Sequence, residues 1–195
     1  MKIPINKLYP WRGSIAGLVL LSSILHCSGL GIDKEENTDA ETLSILALVQ
    51  AGASSDAARV TSTSNITIPN STFSTLTFDT EVFDQGNLFD AGQPTRLTAA
   101  TTGIYLISAS VQFGNNQTGM RHVNLTKNGS SDFATESRNA VSTSGFSTYI
   151  TISTVQAMSG GDYVEVRVFQ NSGASMNVAG GVDYSPIFTM HRVAN

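Results

Sequence analysis

The 195-residue sequence contains a single cysteine, Cys27, and only three histidines. One cysteine cannot form an intramolecular disulfide, and it is too few for a zinc site built from cysteine ligands. The two histidines outside the N-terminal segment, His122 and His191, belong to no paired metal-binding motif. We therefore expect no disulfide framework, no bound metal and no cofactor.

Charged residues are also scarce, because Asp, Glu, Lys and Arg together make up 13% of the chain and the net charge is −4. Proteins that bind nucleic acids usually concentrate Lys and Arg in a basic patch. The 11 basic residues of this sequence are instead scattered along it. The composition therefore argues against a nucleic-acid partner.

The sequence also lacks signatures of catalysis. It contains no Gly-x-Ser-x-Gly motif, which would indicate a serine hydrolase. Four carboxylates lie close together around a predicted strand end and loop, in a spacing that matches neither a calcium loop nor a glycosidase pair: Asp79, Glu81, Asp84 and Asp90. An enzyme would need some of these, or the two histidines, to share one pocket, so we expect no enzymatic activity.

The N-terminal segment has the form of a signal peptide. Basic residues precede the run "SIAGLVLLSSIL", which is too short to span a bilayer comfortably and has the usual length of a signal-peptide core. It ends at "ILHCSG", which resembles a bacterial lipobox except that His26 stands where a small residue is expected. We expect residues 1–27 to be a signal peptide and Cys27 to be acylated.

Lipidation at Cys27 would hold the protein in the bacterial cell envelope or at the cell surface, attached to a membrane through the lipid alone. The alternative is an ordinary signal peptide cut after "GLG", which would remove Cys27 and give a secreted protein. Both interpretations predict export from the cytoplasm.

Residues 28–56 are interpreted as a tether with a short helical stalk. "DKEEN" is polar, and Thr38 followed by Glu41 fits a helix-capping box ahead of the apolar residues between Leu43 and Val49. A helix of about three turns is marginal in water by itself. We therefore expect its apolar side to pack against a second copy or the membrane surface. The alternative is that the segment is a frayed linker.

Residues 57–195 predict an all-β sandwich. Runs with alternating apolar residues, such as "TTGIYLISASVQF" and "YVEVRVFQNSG", are separated by Gly, Asn, Ser and Pro turns. Asn128-Gly129 is a strong hairpin signal. We expect eight to ten short strands and no helix, and without a cysteine pair or a tryptophan this region lacks the hallmarks of an immunoglobulin domain.

The order of three stretches resembles the C1q/TNF-like jelly roll, in its bacterial and phage branch: "TTGIYLISASVQF", "GDYVEVRVFQNSG" and "YSPIFTMHRV". The residues at the matching motif positions are Gly103, Tyr105, Phe113, Gly161, Asp162 and Val164. The C-terminal strand departs from the family, whose animal members usually carry Ser-x-Phe-x-Gly there. The resemblance implies a two-sheet jelly-roll sandwich that assembles into a homotrimer.

The resemblance also suggests why the long strand in "TTGIYLISASVQF" begins with apolar residues on both faces. In the family the sheet that contains this strand faces the axis of the trimer. Ile104, Leu106 and Tyr149 point away from the alternating core positions, and we interpret them as trimer-interface residues. The alternative is that they only line the ends of the sandwich.

Family members bind partners through loops at the trimer apex or through grooves between subunits. The corresponding candidate ligand residues here lie in the loops "DQGNLFDAGQ", "GNNQTG" and "QNSGAS": Gln85, Asn87, Phe89, Asn115, Asn116 and Asn171. The sequence thus predicts an exported, lipid-anchored trimeric binding module for a protein or glycan partner. The alternative is a structural trimeric head of a surface fibre or array without a soluble ligand.

Overall fold

The computed structural model describes residues 56–195. The predicted signal peptide, Cys27, the tether and the short helix lie outside the described residues. Residues 56–195 contain no α-helix, as predicted, and twelve β-strands, which is more than the eight to ten expected. Within this range, no helix is long and apolar enough to cross a membrane.

Eight of the twelve strands have five residues or more, and the other four are pairs or triplets of residues. The strands are β1 (Ala57–Thr61), β2 (Ile66–Ile68), β3 (Ser74–Thr75), β4 (Thr80–Gln85), β5 (Arg96–Thr98), β6 (Gly103–Phe113), β7 (Met120–Lys127), β8 (Ser131–Asn139), β9 (Thr148–Met158), β10 (Tyr163–Gln170), β11 (Met176–Val178) and β12 (Ile187–Ala194).

The strands form two antiparallel sheets. Sheet A has seven strands in the order β2-β11-β6-β12-β1-β4, and β9 pairs with β6 along its full length. Sheet B has five strands in the order β3-β10-β7-β8, with β5 also paired to β10. The non-consecutive neighbours in both sheets are the crossover connections of a jelly roll.

The core lies between the two sheets. Alternate residues of β6, from Tyr105 to Phe113, are buried against the inward residues of sheet B, such as Val164 and Val166 of β10. Each strand therefore has one face in the core and one turned outward. The alternating core positions predicted for "TTGIYLISASVQF" are therefore confirmed.

Gly103 and Tyr105 fix the start of β6. A Cβ atom at Gly103 would lie 2.5 Å from the carbonyl oxygen of Ala194, so only glycine allows β12 to approach this closely. The buried Tyr105 hydroxyl donates to the Thr101 carbonyl at 2.8 Å and also lies 3.1 Å from Oδ2 of Asp56. Tyr105 therefore links Asp56 to the start of β6, and Gly103 allows β6 and β12 to lie close together there.

Asn128-Gly129 and Asp162, which were singled out in the sequence, lie in two turns that are in contact with each other. Asn128 and Gly129 have φ angles of 52° and 70°, the left-handed conformation expected of a hairpin turn between β7 and β8. The neighbouring Asp162 accepts hydrogen bonds from Ser159 N at 2.7 Å and from Asn128 Nδ2 at 2.8 Å, and it pairs with Lys127 Nζ at 2.8 Å. One carboxylate thus ties two turns together.

The sandwich has two distinct ends. The near end contains Asp56, the start of β6 and the C-terminal residue, because β12 runs antiparallel to β6 and pairs His191 with Leu106. The far end contains the loops that follow β6 and β10, residues 114–119 and 171–175. Asp56 and the C-terminal residue Asn195 thus lie at the same end of the sandwich, opposite these loops.

Candidate functional site

The outer face of sheet A, which is turned away from sheet B, carries all three residues predicted to lie at a subunit interface. Leu106 is 41% exposed and Tyr149 is 47% exposed, and Ile104 is half-buried. Val155, directly across from Leu106 on β9, is 56% exposed. Large apolar side chains therefore stand in neighbouring rows on a face that no described residue covers.

Hydroxyl groups occupy the middle of this face. Ser108 Oγ lies 2.6 Å from Thr189 Oγ1 on β12, and Thr151 Oγ1 donates to Ser110 Oγ at 3.3 Å. These side chains satisfy one another across the strands, so the sheet centre is polar without a buried charge. The face is thus amphipathic, with apolar groups towards both ends and a neutral hydroxyl stripe between them.

Tyr149 pairs with Tyr184 at the far-end side of this face. Their ring centroids are 6.0 Å apart with an interplanar angle of 52°, and both rings are exposed. Partial desolvation and the neighbouring Tyr184 raise the pKa of Tyr149 above its ordinary value. Together the two rings form an exposed aromatic group at the edge strand β9, and we call it the tyrosine pair.

A groove of about 380 Å³ lies on the opposite half of the same face, beside β1 and β4. Its walls include Arg59, Thr61, Val82 and Asp183. Arg59 Nη2 donates to the Asp183 carbonyl at 3.1 Å, which holds the guanidinium against the loop between β11 and β12. The groove is mostly apolar with a fixed cation in its wall.

The far-end loops bring together only some of the predicted ligand residues. Asn171 Oδ1 accepts a hydrogen bond from Met120 N, which follows the loop of Asn115 and Asn116. Asn116 Oδ1 accepts from Thr118 N at 2.8 Å, so both carboxamide oxygens help to hold the loops themselves. Asn115 is exposed.

Arg121 lies beneath these loops and is fully buried. Its guanidinium donates to the carbonyls of Thr118 at 2.9 Å and Asn116 at 3.0 Å. Burial lowers the pKa of Arg121, and within residues 56–195 it forms no salt bridge. Sequence reasoning missed this residue, although the period of two places Arg121 on the same strand face as Val123 and Leu125, which are buried.

The other predicted ligand residues lie elsewhere. Gln85 and Asn87 are exposed at the start of the β4–β5 loop, where Gly86 contacts Asp56 at the near end. Phe89 is partly buried against the core and forms an isolated bridge with Leu97. The six predicted residues thus form two separate groups, and the aromatic ring among them is not free.

The acidic residues and histidines singled out by the sequence are dispersed. Asp79 accepts from Thr63 N at 2.8 Å, and hydrogen bonds from Thr63 lower its pKa. His122 lies on the outer face of sheet B, whereas His191 lies on sheet A. Among residues 56–195, no three His, Cys, Asp or Glu side chains converge as a metal site would require.

Several asparagines occur in the pattern Asn-x-Ser/Thr, which is the acceptor pattern for N-glycosylation, and their side chains hold turns and strands in place. Asn65 Oδ1 accepts from Gly180 N at 3.0 Å, and Asn70 Oδ1 accepts from Gly173 N at 2.8 Å. Asn124 is buried, with its Nδ2 donating to Asp132 at 2.7 Å. These local roles explain why asparagine recurs in the chain without invoking glycosylation.

Comparisons with known proteins agree with this architecture. No family profile matches the sequence, and no curated protein matches it either. The crystal structure of murine APRIL at pH 5.0 is 15% identical with a TM-score of 0.55, over 70% of this chain and 97% of that one. The globular domain of zebrafish complement 1qA protein is 14% identical with a TM-score of 0.50, over 72% and 99%. The described part of the chain therefore has the C1q/TNF-like jelly-roll fold.

Proposed function

We propose that residues 57–195 form the homotrimeric head of an exported, lipid-anchored binding protein. The observation that carries this proposal is the uncovered outer face of sheet A, where Leu106, Tyr149 and Val155 are exposed. Monomeric soluble proteins rarely leave several large apolar side chains on one sheet face open to water. Contact with neighbouring copies would cover it.

The size of this face fits a subunit contact. Five strands lie side by side in it, β4, β1, β12, β6 and β9. With about 4.8 Å between strands and about 3.3 Å per residue, a face of this kind presents roughly 600 Å². A standard interface buries about 800 Å² on each partner, so this face would supply most of one such contact and the adjoining loops the rest.

The far-end loops are the proposed ligand surface, because the chain reaches the head at the opposite end, at Asp56. Residues 114–119, 140–147 and 171–175 contain no charged side chain, and they present hydroxyls, carboxamides and the exposed ring of Phe146. Such groups hydrogen-bond sugars or protein backbone and offer no electrostatic steering. A protein or glycan partner of low charge fits this surface.

The test is native mass measurement of the full chain after detergent extraction. We expect three chains per particle and one acyl group on Cys27. Leu106→Glu should shift the particle towards single chains, because it places a carboxylate in a buried apolar contact. Phe73→Glu, at a residue of similar exposure outside sheet A, is the matched control and should leave three chains. A single-chain wild type at high concentration would contradict the proposal.

A structural head without a soluble ligand is the second candidate. It is favoured by the inward hydrogen bonds of Asn116 and Asn171, which leave fewer free polar groups on the far-end loops. In this case the predicted stalk around residues 43–49 would supply much of the assembly. The two candidates differ in whether the head assembles without that stalk.

A further inference from the structure

The outer face of sheet A carries two unlike features. Both rings of the tyrosine pair are exposed, and Tyr149 lies on β9, the strand that has no neighbour on its outer edge among the described strands. The groove of about 380 Å³ lies over β1 and β4. The loop between β11 and β12 contributes Asp183 to the groove and Tyr184 to the tyrosine pair, so an exposed aromatic group and a groove share one face.

The groove and the tyrosine pair lie at the same level along the strands. Thr61, in the groove wall, pairs with Ile187, which pairs with Ser110 on β6. Ser110 in turn pairs with Thr151, only two residues from Tyr149 on β9. The level therefore differs by no more than about 7 Å along the strand direction.

The chemistry of the groove suits a tyrosine side chain. Val82 and Val182 supply apolar wall, and the guanidinium of Arg59 is held by Asp183. A fixed, planar guanidinium beside apolar surface packs well against an aromatic ring. The chain makes the same combination on sheet B, where the Arg96 guanidinium lies 4.2 Å from the centre of the Tyr163 ring.

We propose that the Tyr149 ring of one copy docks in the Arg59–Val82 groove of a second copy. This inference rests on the proposed trimer and assigns the residues that neighbouring copies exchange. Each copy then uses its tyrosine pair towards one neighbour and its groove towards the other. A contact between unlike surfaces closes into a ring when the rotation per copy permits.

The main test is cross-linking of the full chain between residues 82 and 151, because a cysteine at position 151 lies on the same face of β9 as Tyr149 and keeps its ring. The double variant Val82→Cys with Thr151→Cys is treated with a short bismaleimide and separated under denaturing conditions. We expect a ladder that stops at three chains, because each copy is linked to both neighbours. Each single variant reports the contribution of Cys27, and Phe73→Cys with Thr151→Cys is the matched control and should give no ladder.

The outcomes separate this inference from the proposed trimer. A native mass of three chains with no more cross-linking than in the single variants would overturn the Tyr149 docking and leave the trimer. A single-chain native mass would overturn both. A product that stops at two chains would retain the docking and contradict the trimer.

A ring-deletion series gives an independent readout. Tyr149→Ala should raise the concentration at which the assembly dissociates at least about tenfold, whereas Tyr149→Phe keeps the ring and should stay close to the wild type. Val82→Glu should act like Tyr149→Ala, because it places a carboxylate in the groove wall. Equal dissociation of Tyr149→Ala and the wild type would overturn the inference.

Discussion

At the scale of single residues, Tyr105 and Asp162 show how motif positions of the sequence act in the fold. Each side chain connects segments that are distant in the chain. Tyr105 joins Asp56 to β6 from inside the sandwich, and Asp162 joins the β9–β10 turn to the β7–β8 hairpin. Their loss should therefore affect stability before it affects any binding.

Removal of the Tyr105 hydroxyl should destabilise the head. In Tyr105→Phe the Thr101 carbonyl and Asp56 lose a buried donor, so we expect the free energy of unfolding to fall by about 1 kcal/mol. Urea unfolding at matched protein concentration measures this change. Tyr163→Phe, on the outer face of sheet B, is the control and should stay within about 0.5 kcal/mol of the wild type. Equal stability of Tyr105→Phe and the wild type would contradict the role given to this hydroxyl.

Asp162 should make stability depend on acidity. Hydrogen bonds from Asn128 and Lys127 lower its pKa from 3.8 to about 2. A carboxyl whose pKa is lower in the folded chain binds its proton more readily when unfolded, so its stabilisation is complete above about pH 4 and is lost as the pH falls towards 2. We expect Asp162→Asn to lower stability at pH 7 by roughly 1 to 2 kcal/mol and to flatten this acid slope. Denaturant unfolding between pH 2 and pH 7 measures both, and an unchanged slope would refute the assignment.

At the scale of elements, the buried Arg121 holds the β6–β7 loop through backbone carbonyls. Arg121→Met removes these donors, so amide hydrogen exchange in residues 114–120 should accelerate and stability should fall by roughly 2 kcal/mol. Arg138→Met, at the cross-strand neighbour of Arg121, is the control, because the Arg138 side chain is exposed and its guanidinium pairs with Glu136. Arg121→Lys keeps the charge with fewer donors and should fall between the two. Unchanged exchange in this loop would contradict the role of Arg121.

The long strands could be predicted from the sequence because burial on one face imposes a period of two. The alternating residues of β6, β9 and β10 are buried as expected, and Tyr149 lies opposite the core-facing Ile150. The short strands were less accessible, because two or three residues carry no period. The predicted loop "DQGNLFDAGQ" thus contains Phe89, which forms an isolated bridge with Leu97 of the three-residue strand β5.

The candidate site could be predicted only in part, because some of the residues that form it are far apart in the sequence. The outward direction of Leu106 and Tyr149 follows from the strand pattern. The groove depends on Arg59 meeting Asp183, 124 positions away, and on a loop that shows no periodicity. Such meetings are set by the topology of the sheets, and the local sequence does not encode them.

At the scale of the whole molecule, the position of the apolar face distinguishes the two candidate functions. Because that face lies within residues 56–195, deletion of residues 43–49 should leave three chains per particle. Analytical ultracentrifugation over a range of concentrations measures this. Dissociation of the deletion variant into single chains would favour the structural head, in which the stalk holds the copies together.

The shared position of Asp56 and Asn195 has a practical consequence for labelling. A fluorescent protein or affinity tag fused after Asn195 would lie at the same end of the sandwich as Asp56. It would leave residues 114–119 and 171–175 accessible, whereas the same cargo inserted into either loop would stand at the opposite end of the sandwich. A C-terminal fusion is therefore the natural format for screening partners, and the loops are the natural sites for displaying foreign peptides.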